Sequence, residues 1–186
     1  MPDPVRRTPL IPVAEYLRRE AASPVRHEYV AGAVYALAGA TRRHNRIALN
    51  IARRLADAAE GGPCRVSMSD VRLRARADIY YYPDVMVACG PEPDDPHVEE
   101  APCLVVEVLS PATEAIDRRE KLLVYRQLPS LEAYLLVETE RRRVERHWRA
   151  EGGEWRAEEV VAGEVPVPCP ATRVPLDAIY AGVRFE

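Results

Sequence analysis

Lysine is almost missing from this chain. Of its 26 Lys and Arg residues, 25 are Arg and one is Lys121. Arg cannot shed its proton and is a wide planar fork, whereas Lys is a compact ammonium whose pKa can move. Either the one Lys survived drift by chance, or its position needs what Arg cannot supply. Long apolar runs are missing too. None approaches the ~20 residues that span a bilayer, so no membrane partner is expected. Residues 1–7 lack the apolar core of a signal peptide. Cysteine is sparse: Cys64, Cys89, Cys103 and Cys169 are scattered, with no Cys-x-x-Cys pair. That spacing speaks against a zinc site and offers no disulfide framework, which points to the cytoplasm. Cys103 and Cys64 lie in apolar runs and read as buried, inert thiols.

What is present describes a globular protein. Of the 186 residues, 47% are hydrophobic and 30% charged, enough for one domain over residues 1–186 with a real core. The net charge is −3 and the pI about 5.9. The whole molecule is therefore not a polyelectrolyte that grips nucleic acid. Any such contact must come from a local patch, or from metal ions that offset an acidic site. No internal repeat and no low-complexity segment is visible.

Residues 13–21 read as a short helix closed by Pro24. Arg26 to Leu37 reads as a hairpin turning at Ala31-Gly32. Thr41 can cap a long helix ending near Glu60, with His44, Ile47, Ala48, Ile51, Leu55 and Ala58 as its apolar stripe. Residues 64–68 and 71–75 are short extended pieces. Residues 79–88 read as one strand, almost continuously apolar and so covered on both faces. Residues 89–101, rich in Pro and acids, form a loop too polar to be buried, placed where it invites closure over a site. Residues 104–109 form a second buried strand. Pro111 begins a turn into a helix over 113–127. Residues 132–138 are a further buried strand. Residues 144–149 and 155–161 form a hairpin around Gly152-Gly153. Residues 166–175 read as irregular, and 175–181 as a last helical turn. The order implies a mixed α+β domain with one central mixed β-sheet flanked by helices, not a doubly wound fold.

Two of the buried strands each carry a carboxylate, Asp84 in the middle of one and Glu107 near the end of the other. If the strands are neighbours, the two acids meet. Buried like charges repel and need a counter-ion. Carboxylate oxygens with a backbone carbonyl, that of Val108, suit Mg²⁺ or Mn²⁺. Lys121 on the following helix could orient a metal-bound water or stabilise charge on a phosphate. The plainer alternative is two capped strand ends with an ordinary Lys–Glu pair. Asp70 reads as a turn residue, and Asp117 as a plain i,i+4 partner of Lys121.

Several stretches together resemble the Uma2 family of the PD-(D/E)XK nuclease superfamily. They are Glu28 in its hairpin, Thr41-Arg-Arg-His44, Tyr-Pro-Asp84-Val, Val-Val-Glu107-Val-Leu-Ser-Pro, Lys121-x-x-x-Tyr125 and Glu132-Ala-Tyr-Leu-Leu-Val. The resemblance runs from about Val13 to Tyr180. It implies a restriction-endonuclease-like core with Asp84 and Glu107 on the metal and Glu28 completing its shell. The superfamily lysine two residues after the Glu is absent, because position 109 is Leu. The resemblance therefore implies a migrated lysine, Lys121. His44 matches the family's histidine, or simply packs in the helix stripe. Tyr125 orients Lys121, or packs. The implied reaction is in-line hydrolysis of nucleic acid, DNA above all, leaving a 5′-phosphate. The alternative is a nuclease-like fold that binds nucleic acid or protein without catalysis.

Phosphate contacts could come from Arg42, Arg46, Arg53 and Arg54 on the long helix, and from Arg72, Arg74 and Arg76 on one strand. Each could equally belong to a solvated face, as could Arg141, Arg142 and Arg143. No helix-turn-helix, zinc finger or basic zipper is present. A two-fold homodimer is the default expectation from oligomer base rates.

Overall fold

The computed structural model describes residues 10–110 and 114–185. The readings of residues 1–7, of the turn at Pro111 and of a helix start at Thr113 lie outside them.

The long helix α2, Arg42–Ala59, starts where expected. Thr41 is extended, and its hydroxyl accepts the His44 N–H at 3.2 Å, satisfying one of the free amides of the first turn. Ile47, Ala48, Ile51, Ala52, Leu55 and Ala59 are buried along one face. Ala59 and not Ala58 closes the stripe, since 3.6 residues per turn carry Ala58 out to solvent. Helix α1 spans Val13–Ala22. Strands β1 (His27–Val30) and β2 (Ala33–Ala36) pair antiparallel. Ala31 and Gly32 between them both take positive φ, 47° and 96°, as the tight turn with the right twist requires.

There are two main sheets, not one. The first has the order β2-β1-β5-β4-β7, with β4 Arg72–Arg76, β5 Ile79–Tyr81 and β7 Val98–Glu99. The second has the order β11-β10-β9-β8-β6-β3. Its strands are β3 Arg65–Met68, β6 Val85–Ala88, β8 Leu104–Val108, β9 Ala133–Val137, β10 Val144–Arg149 and β11 Trp155–Val160. It is mixed, because β8 and β9 run parallel while the other pairs are antiparallel. The stretch 79–88 is therefore two strands in different sheets. Pro83 has no N–H to give a ladder, and Tyr82-Pro83-Asp84 carries the chain from one sheet to the other. Asp84 stands just before β6, not within a strand.

The central strands β6, β8 and β9 of the second sheet are covered on both faces, as their apolar sequences predict. Ile47, Ile51 and Leu55 of α2 pack with Val85, Val87, Leu104, Val106 and Leu135 on one face. Met86, Val105, Tyr134 and Leu136 pack on the other with Leu73, Tyr81 and Tyr125. Leu55 is fully buried, so Leu55→Ala should cost about 2–5 kcal/mol, read as a lower guanidinium unfolding midpoint with an unchanged slope.

Three further expectations are corrected. Residues 166–175 are not irregular: they close β12 Glu164–Val167 and form β13 Thr172–Pro175, which pairs antiparallel with it. Pro-rich edge strands keep the pairing their few N–H groups allow. The acidic loop is partly buried, since Val98 and Glu99 form β7 against β4. It also joins the end of β6 to the start of β8, so it lies at the end of the sheet away from Asp84 and Glu107 and does not close over them. Finally, the cysteines are not free thiols. Cys64 is bonded to Cys89 and Cys103 to Cys169, which removes the spacing argument for a reducing compartment. No helix among the described residues is long and apolar enough to cross a membrane.

Candidate active site

Asp84 and Glu107 are neighbours because of register. Val85 pairs with Val106 across β6 and β8, so one step further sets Asp84 opposite Glu107. Alternation along β8 turns Glu107 to the same face as Val105, beneath Tyr125. Asp84 Oδ2 accepts the Val108 N–H at 2.7 Å and lies 3.2 Å from His44 Nε2. His44 is placed there by the Thr41 cap, at the start of α2.

The segment after β8 supplies the rest. Helix α3 (Glu114–Ile116) runs into a π-helical turn over Asp117–Lys121 and then α4, Leu122–Tyr125. Such turns are rare and recur at functional sites. This one directs Asp117 and Lys121 inward together. Lys121 is 5% exposed, and three carboxylates surround its Nζ: Glu28 at 2.9 Å, Glu107 at 3.1 Å and Asp117 at 3.2 Å. Tyr125 donates to Glu107 Oε1 at 3.0 Å. Tyr81 lies under the ammonium, 5.3 Å from ring centre to Nζ, and donates to Glu120. Glu28 Oε1 also accepts the Tyr82 N–H at 3.3 Å.

Electrostatics follow from this crowding. Burial pushes the Glu107 carboxyl well up, and the charges of Asp117, Asp84 and Glu28 push it further, against the pull of Lys121. Burial would lower the Lys121 pKa, but Glu107, Glu28 and Asp117 outweigh it and hold the ammonium protonated well above the ordinary range. Burial also pulls down the His44 pKa. The Asp84 hydrogen bond and charge, a Val108 backbone hydrogen bond and the Asp117 charge reverse that and leave it raised. Burial, then Glu107, keeps the Tyr125 phenol protonated. Asp117 Oδ1 is buried, and no hydrogen bond of acceptable geometry reaches it, although Lys121 is near.

The structure thus brings Glu28, His44, Asp84, Glu107, Lys121 and Tyr125, with the Val108 backbone, to one end of the second sheet. The model of the family described as "Uma2: Putative restriction endonuclease" matches residues 13–177. The chain belongs to the Uma2 family. Two proteins of Synechocystis sp. are similar to it. "Uncharacterized protein slr1290" is 32% identical over 180 residues, covering 95% of each chain. "Uncharacterized protein sll1609" is 32% identical over 161 residues, covering 84% of this chain and 91% of the other. The fold matches a crystal structure of a "putative nuclease belonging to DUF820" from Anabaena variabilis. The TM-score is 0.74 with 16% identity, over 94% of this chain and 99% of that one. That likeness concerns the fold, a mixed α+β restriction-endonuclease-like architecture.

In this Uma2 chain Asp117 is a full member of the cluster, more than the plain ion-pair partner it reads as. Its signal was the i,i+4 spacing to the only lysine. Tyr81 gave none beyond its place in an apolar run. Asp70 lies outside the cluster, exposed and paired with Arg26. Several of the arginines are structural. Arg72 is buried near Asp95, and Arg74 pairs with Glu100. Arg141, Arg142 and Arg143 pair with Glu138, Asp177 and Glu159. Arg42, Arg46, Arg53 and Arg54 are exposed along α2.

Proposed function

We propose that this Uma2 protein is a metal-dependent endonuclease that hydrolyses phosphodiester bonds of nucleic acid, DNA first among them. The observation that carries the reading is the placing of Asp84 opposite Glu107, with the buried Lys121 against Glu107. Asp84, Glu107, Glu28 and Asp117 face one ammonium and one imidazole. The excess of negative charge fits a hard divalent cation, Mg²⁺ or Mn²⁺. Among the described residues no three carboxylates bring ligand oxygens within 4.8 Å of one another. Mg²⁺ keeps several waters and needs only one or two carboxylates. Asp84, Glu107 and the Val108 carbonyl would hold it, with Glu28 in reserve, and it would polarise the phosphate and lower the pKa of the attacking water.

The chain's own residues do the rest. Lys121 cannot act as a base, because its carboxylates hold its proton. It offers a fixed positive charge that costs no reorganisation when charge builds on the phosphate. Tyr125 and Glu28 fix its position by holding Glu107 and Nζ. His44 lies against Asp84 and orients it. Arg42, in the first turn of α2, stands at the same end and can contact the substrate backbone. A homodimer would give the grip on a duplex that one small domain lacks.

The test is incubation of the purified chain with supercoiled plasmid, single-stranded DNA and RNA in Mg²⁺ or Mn²⁺. Cutting that EDTA abolishes is the expected result. No cutting of any substrate, with no Mn²⁺ binding by calorimetry, would replace the reading with a non-catalytic binding module.

A further inference from the structure

Three of the four cysteines, Cys89, Cys103 and Cys169, converge at the end of the second sheet away from the carboxylates, and the fourth, Cys64, is bonded to Cys89. They come from four separate segments. Cys64 and Cys89 lie one step beyond the Arg65–Ala88 pair of β3 and β6. Cys103 precedes β8, and its N–H donates to the Val87 carbonyl at 2.8 Å. Cys169 sits in the turn between β12 and β13. Two disulfides that merely brace a fold have no reason to touch. Here Cys89 Sγ and Cys103 Sγ, from different disulfides, are 3.4 Å apart. The sulfurs of Cys89, Cys103 and Cys169 all lie within 4.8 Å of one another. A tetrahedral thiolate centre with metal–sulfur bonds of about 2.3 Å needs sulfurs roughly 3.8 Å apart, which falls within that spread.

We propose that these four cysteines are the oxidised form of a tetrathiolate site for a divalent ion of the zinc class. Linear spacing hid it, because a zinc site is recognised in sequence by paired cysteines, whereas strand register supplies the pairing here. Cys103 and Cys169 are buried and Cys64 and Cys89 half-buried, so a reductant can reach the outer pair. Two equivalents of an external dithiol reduce the two disulfides. Each dithiol becomes a disulfide, four electrons pass to the protein sulfurs, and four protons are released as the four thiolates bind one Zn²⁺. The resulting centre carries two negative charges. The Arg65 guanidinium, donating to the Gly90 carbonyl beside Cys89, stands near to offset them. Soft thiolates select such an ion over the hard cation that the distant carboxylates suit.

The full chain, reduced with a dithiol and dialysed against Zn²⁺ or Co²⁺, should retain about one ion per chain. The Co²⁺ form should show thiolate-to-metal charge transfer and the intense visible bands of tetrahedral cobalt. Cys103→Ser and Cys169→Ser should each abolish those bands, while Asp84→Asn leaves them intact. A reduced wild-type chain that shows four titratable thiols and no stoichiometric metal would overturn the proposal. So would retention of the bands in both serine variants. The wild-type spectrum decides the matter even if a serine variant fails to fold. It is independent of whether the carboxylate end cuts nucleic acid.

Discussion

Lys121→Met should lose about 3–5 kcal/mol of folding stability at pH 7, because it strands buried charge. Glu28, Glu107 and Asp117 all lean on this one ammonium. The loss should shrink in acid. Glu107 already has a folded-state pKa raised above its ordinary value of 4.5, and without Lys121 it rises further. A carboxyl raised in the folded state favours folding below its unfolded pKa and loses that contribution as pH climbs through the folded one. The gap between wild type and variant should therefore narrow from pH 7 towards pH 5, read by guanidinium unfolding at both. Lys121→Arg should rescue only part of it. Three oxygens surround Nζ, whereas a guanidinium presents a planar fork. In a chain that uses Arg at every other basic position, this geometry accounts for the exception. A Lys121→Met variant as stable as wild type at pH 7 would remove the counter-ion role.

Asp84→Asn should separate chemistry from folding. The Asn carbonyl can still accept the Val108 N–H, and the Asp84 side chain is 20% exposed, so the unfolding midpoint should hardly move. The charge is lost, and with it one of the two carboxylates that face the proposed cation. Cleavage in Mg²⁺ should fall about 100- to 1000-fold, the scale on which electrostatic groups at a reacting centre act. Mn²⁺ affinity by calorimetry should fall with it. Full activity in this variant would place the chemistry elsewhere in the molecule.

Much of this was legible in the sequence where local chemistry and tertiary packing agree. The cap at Thr41, the stripe of α2 and the Ala31-Gly32 and Gly152-Gly153 turns are local signals, and the structure keeps them. The buried carboxylates were legible because an acid in an apolar run stands out. The split of residues 79–88 was not. Apolar continuity on both sides of Pro83 looks the same whether one strand passes through one sheet or two strands enter different sheets. The β12–β13 hairpin was hidden by prolines that usually signal irregular chain. Asp117 looked like a plain i,i+4 ion-pair partner, since spacing alone does not reveal a π-turn that buries it. The cysteine cluster depends on register among β3, β6 and β8 and on the turn between β12 and β13, which no spacing records.

The crossing at Tyr82-Pro83-Asp84 has a consequence for the order of folding. Glu28 belongs to the first sheet, Glu107 to the second, and Lys121 to the helix that packs beside both. Each sheet can assemble from largely apolar contacts, but the charge cluster needs both in place. The contact of Lys121 with Glu28 joins distant parts of the chain, and such contacts close late, after the entropy of long loops has been overcome. A chain in which only the second sheet has formed already sets Asp84 opposite Glu107, but leaves Lys121 without its Glu28 partner. The proposed centre is complete only once the two sheets have docked and Glu28 has reached Lys121.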